Sequence, residues 1–168
     1  VSGATYALGG RESTGLGAHS VRMFASPDLR YARLESQLIA YSLPRAVEVF
    51  STYDGSRFPE GFRGASIWHF ATHAVSAGEG GEQSQIVLPG RTNIGFSELR
   101  FGLRRLTRDQ IPSLVVLSAC DSARGDYQAL TPSLANVFLE RGARWVVASS
   151  WPVDDLATAV LMAKFYEG

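Results

Sequence analysis

The chain has one cysteine and two methionines in 168 residues, and no run of the roughly 20 apolar residues that a bilayer-spanning helix needs. A lone cysteine excludes an intramolecular disulfide and a cysteine-based zinc site. It is in keeping with a reducing, cytoplasmic setting. Excess charge is also missing, because 16 basic side chains offset 16 acidic ones. That balance argues against binding nucleic acid or an anionic membrane. The local cluster Arg100, Arg104, Arg105 and Arg108 has the spacing of a solvated helix face opposite Leu99, Leu103 and Leu106. The N-terminus lacks a basic segment followed by an apolar core, so no signal peptide is expected. It also lacks an initiator methionine, as a fragment of a longer protein would.

The sequence does have enough apolar material, 45% of residues, for one domain to build a core without metals or disulfides. The first twenty residues are rich in Gly, Ser and Thr and read as irregular. Strands are expected over 19–26, 45–50, 66–72, 86–89, 114–117 and 144–151. Helices are expected over 29–41, capped by Asp28 and apolar at Leu34, Leu38 and Tyr41, and over 96–106. Two more run from Thr131-Pro132 to Gly142 and from Asp154-Asp155 through Tyr166. The glycine-rich stretch 75–85 reads as a surface loop. Strands thus alternate with helices, and two strands are continuously apolar. This predicts an α/β three-layer sandwich with a mainly parallel central sheet, whose crevice lies at the carboxyl ends of the strands.

Two strands end in reactive residues. "SIWHFAT" leads to His73 and "LVVLSA" leads to Cys120, each among small neighbours that leave room for a substrate backbone. An imidazole beside a thiol makes it a strong nucleophile. On spacing alone a lone cysteine that ends an apolar strand is more often a packed core residue than a nucleophile. His69 and His73 stand four apart, but they follow strand-type residues without an acidic third ligand, so His69 reads as a core histidine. His19 reads as surface or structural.

The segments "IWHFATHA", "VVLSACDSARG" and "FLERGARWVVASSWPVDDLATAVLMAKFY" together resemble the CHAT family, caspase-like domains often attached to TPR helical repeats. Three separated motifs occur in the family's order over about residues 66–168. The resemblance implies a single caspase-like domain over 1–168 and a cysteine endopeptidase with a Cys–His dyad. His73 matches the catalytic histidine and Cys120 the nucleophile. Backbone N–H groups of Ala74, where the group usually has glycine, and of Cys120 match the oxyanion donors. The "SSWPVDD" segment is similar to a separase stretch in which an acid receives a basic P1 side chain. Asp155 is the matching position, and Asp154 and Asp121 are further acids for that pocket. Either Asp154 or Asp155 equally suits the role of helix cap.

No metal or organic cofactor is implied. The implied partners are a protein or peptide substrate, cleaved in a regulatory or defence event, and a TPR or sensor region elsewhere in the full-length protein. Family domains continue past the "FY" helix, so the C-terminal portion is expected to be missing here. The alternatives are a non-catalytic caspase-like scaffold and an unrelated α/β acyl-transfer enzyme. The scaffold has no need of the dyad, and the acyl-transfer enzyme does not account for the three motifs.

Overall fold

The strand Ile67–Ala71 is buried at every position, as a strand must be when it is paired on both edges and covered on both faces. It is β4 in a computed structural model that describes residues 5–8, 20–55, 58–75, 85–90, 92–118, 130–149 and 154–168. In chain order the elements are β1 (Thr5–Leu8), β2 (Val21–Ala25), α1 (Ala32–Ser42), β3 (Val47–Phe50) and β4. They continue with β5 (His73–Val75), β6 (Gln85–Leu88), β7 (Thr92–Gly95), α2 (Phe96–Arg104) and β8 (Leu114–Leu117). The last are α3 (Leu130–Arg141), β9 (Trp145–Ser149) and α4 (Asp155–Glu167).

The large sheet has the order β1-β9-β8-β4-β2-β3, and its five strands from β9 to β3 are parallel. Alternation along β4 sends Trp68 and Phe70 into one layer and Ile67 and Ala71 into the other. The first layer gathers Leu99 and Leu103 of α2 and Leu134, Val137 and Phe138 of α3. Phe62 joins it from the 58–62 segment, stacked on Phe24 with ring centroids 4.2 Å apart. Arg22 ties that segment to β2 by donating to the carbonyls of Gly61 and Arg63. The second layer holds Ala32 and Ile39 of α1 and Met162 and Tyr166 of α4. The expected three-layer α/β sandwich is therefore the observed architecture.

Several local expectations need correction. Residues 5–8 are not irregular: they form β1, antiparallel to β9. The ends of the glycine-rich stretch are strand, because Val75 closes β5 and Gln85 opens β6, and residues between them lie outside the described set. With β7 these strands make a small antiparallel sheet, β5-β6-β7, that short polar segments such as "TNIG" did not announce.

Helix α1 begins at Ala32 after Tyr31, without a side-chain cap, so Asp28 is not its N-cap. Its buried positions are Ala32, Glu35, Ser36 and Ile39, while Tyr41 is 87% exposed. The helix follows the i, i+3, i+4, i+7 rule on a different face from the apolar one. The cause is a partner for Glu35 inside the molecule, described below.

The arginine cluster behaves as expected. Leu99, Leu103 and Leu106 are buried, and Arg100 and Arg105 meet Glu140 and Glu60 at the surface. No helix among the described residues is long and apolar enough to cross a membrane.

Candidate active site

Strands β4 and β8 are adjacent and parallel, with Phe70 opposite Leu117. Both chains consequently leave the sheet at one level, at the carboxyl edge where α/β folds bind their ligands. Two residues past β4 the chain enters β5 at His73. Three residues past β8, in sequence, comes Cys120. Cys120 and Asp121 lie outside the described residues, so of the dyad only His73 has a described position. His73 is partly buried and pairs with Val87 of β6. The histidine is thus held by the small sheet rather than by the end of β4 itself. The rigid pairing of β5 with β6 fixes its backbone.

Ala74, at the position usually taken by glycine, is buried and pairs with Ile86. Among the described residues Arg45 is the non-glycine residue with positive φ. Ala74 therefore occupies ordinary extended backbone, and its Cβ brings no left-handed strain. Its N–H is retained.

Thr72 and Ser118 follow the last residues of β4 and β8. Their side-chain hydroxyls are buried and have no hydrogen-bond partner among the described residues. Such groups are costly to leave unpaired, by about 1–3 kcal/mol each. These two stand next to the segments that carry the histidine and the cysteine.

Of the two acids at the start of α4, one is the helix cap. Asp154 is the N-cap, its Oδ1 accepting from the N–H groups of Leu156 and Ala157 at 3.0 Å each. Asp155 is the first helical residue and is partly buried. The segment from Trp151 to Val153 lies outside the described residues, as does His19. Among the described residues no three His, Cys, Asp or Glu side chains group as metal ligands would.

His69 is a core histidine, fully buried, but it does not stand alone. Its Nε2 lies 2.8 Å from Glu35 Oε1 on α1, and its Nδ1 lies 3.1 Å from the Tyr166 hydroxyl on α4. All three side chains are buried. Burial, reinforced by the nearby Glu35 carboxylate, pushes the Tyr166 phenol well above its usual range. The phenol thus keeps its proton and can donate it to Nδ1, leaving the Nε2–H to donate to Glu35. Sequence reading found His69 but missed both partners, since Glu35 looked like one more polar position on an amphipathic helix.

A mainly parallel sheet between two helical layers, with a histidine past one central strand and a cysteine motif past its neighbour, defines a caspase-like α/β architecture. The CHAT domain family model matches residues 7–168. The chain belongs to the CHAT domain family, which is related to caspase-like peptidases. None of the curated proteins compared with the chain matches it.

Proposed function

We propose that the chain is a cysteine endopeptidase domain that cleaves a protein substrate through a His73–Cys120 dyad. The reading is supported by the family match over 7–168 and by the parallel register of β4 and β8, whose last residues precede His73 by two positions and Cys120 by three in sequence. The Cys120 thiol passes its proton to His73, and its sulfur attacks the scissile carbonyl carbon. The N–H groups of Ala74 and Cys120 bind the resulting oxyanion. Collapse breaks the C–N bond, and His73 returns the proton to the leaving amine. A water deprotonated by His73 then attacks the thioester, releasing the carboxylic acid and restoring the thiol. No metal or organic cofactor enters these steps.

Asp155 is proposed as the wall of a pocket for a P1 Arg or Lys, with Asp121 and Asp154 adding negative potential. A carboxylate at the helix start that pairs with a cationic P1 side chain would make a charge-assisted contact. The natural substrate is taken to be another protein, cut in a regulatory or defence event in the cytoplasm. A TPR or sensor region in the full-length protein would control it, and 1–168 would act as one caspase-like domain.

Labelling with a peptidyl acyloxymethyl ketone carrying P1 Arg, under reducing conditions, tests the dyad. A stable adduct on Cys120 that requires His73 is expected. Absence of an adduct in the full-length protein would leave an interaction domain instead. A fluorogenic peptide panel tests the pocket, and faster cleavage after neutral P1 residues than after Arg or Lys would overturn it.

A further inference from the structure

The exposed and buried faces of α4 are hard to tell apart by composition. Leu156, Val160 and Leu161 are exposed, while Thr158, Ala159, Met162, Ala163 and Tyr166 are buried. Burial of apolar area is non-directional, so it gives this helix little reason to prefer one rotation over another. Yet its first residues are Asp154 and Asp155, whose direction changes by about 100° for each residue of rotation. Something else must choose the rotation.

Among the described residues, His69 makes directed contacts that tie α4 to the central strand. One ring, on the central strand that leads into His73, reaches Tyr166 of α4 with Nδ1 and Glu35 of α1 with Nε2. A ring bonded at both nitrogens cannot turn without losing a bond, and its backbone is fixed by pairing on both edges of β4. Helices α1 and α4 also pack on each other over the same face of the sheet. The relay thus joins β4, the strand that leads into the His73 segment, to α4, which carries Asp155, and to α1.

We infer that Glu35, His69 and Tyr166 form a positioning relay that selects the rotation and depth of α4, and so sets where Asp155 stands relative to His73. None of the three touches substrate, because all are buried. The relay rests on the protease reading only for its kinetic consequence; its structural consequence is independent of that reading.

Tyr166→Phe keeps the ring and removes the tether, and Glu35→Leu removes the acceptor at similar volume. Each single change leaves one buried His69 nitrogen unpaired, at a cost in stability, so the variants are compared with the wild type at a temperature where circular dichroism shows all of them folded. Glu35→Gln keeps an acceptor and serves as the conservative control. In Tyr166→Phe and Glu35→Leu the ratio of kcat/KM for P1 Arg over P1 neutral peptides should fall at least about fivefold, while Glu35→Gln stays within about twofold. Amide chemical shifts of Asp155 and His73, distant in sequence from the substituted positions, should move in the same two variants.

A folded Tyr166→Phe in which both P1 classes slow equally, with unchanged Asp155 and His73 amides, would overturn the relay. Moved Asp155 and His73 amides in the two variants, together with a wild-type chain that cleaves no peptide, would uphold the relay and remove the protease reading instead.

Discussion

Phe70 and Leu117 are register partners across the parallel pair β4–β8, and from that level the chain runs on to His73 on one side and Cys120 on the other. Neighbouring strands lie about 4.8 Å apart, so two short exits from such a pair begin within reach of one another. His73→Ala and Cys120→Ala should each lower peptide cleavage by about a thousand-fold or more, the scale on which loss of a base or nucleophile acts. Both should keep the wild-type circular dichroism. Wild-type turnover in either variant would refute the dyad.

Asp154 caps α4 through the N–H groups of Leu156 and Ala157. Asp154→Ala should cost about 1 kcal/mol in urea denaturation, and Asp154→Asn only a few tenths, since asparagine caps as well as aspartate. If cleavage after basic P1 residues survives Asp154→Asn but falls in Asp155→Asn, capping and substrate binding belong to different acids.

Tyr166 makes stability depend on alkaline pH. Its folded hydroxyl holds a proton that an unfolded tyrosine releases near pH 10, because burial and then the Glu35 charge disfavour the phenolate. A group whose folded pKa is raised adds stability that is full below the unfolded value. Stability is then lost as pH climbs past about 10, where the unfolded chain binds fewer protons. The urea midpoint of the wild type should therefore drop more steeply between about pH 9 and 11 than that of Tyr166→Phe. Ultraviolet titration of the native protein should leave at least one of its six tyrosines un-ionised until unfolding.

Phe62 is fully buried and its ring meets those of Phe24, Tyr53, Phe58, Trp68 and Phe70. Phe62→Ala should cost about 3–5 kcal/mol from lost transfer energy and the cavity left behind. Phe101 lies on α2 but is 68% exposed, and Phe101→Ser should change stability by less than about 0.5 kcal/mol. Guanidinium unfolding of the two variants side by side gives the comparison.

The composition and hydropathy of this chain determined its class: no disulfide framework, no bilayer-spanning run, and alternating strands and helices around continuously apolar strands. Parallel order follows from those runs, because "IWHFA" and "LVVL" can be buried on both faces only inside a covered sheet. The motifs marked His73 and Cys120 because chemical identity is written in sequence whatever the fold does. Tertiary structure alone decided the partners. Amphipathic reading put Leu34, Leu38 and Tyr41 inward, but α1 turned Glu35 inward because His69, 34 residues away, offered it a hydrogen bond. It also assigned Asp154 to the cap, raised β1 from an irregular stretch to a strand along β9, and built the small sheet that carries His73. Local patterns report what a segment would rather bury. Which polar group can be buried depends on a partner far along the chain, and only the assembled fold supplies it.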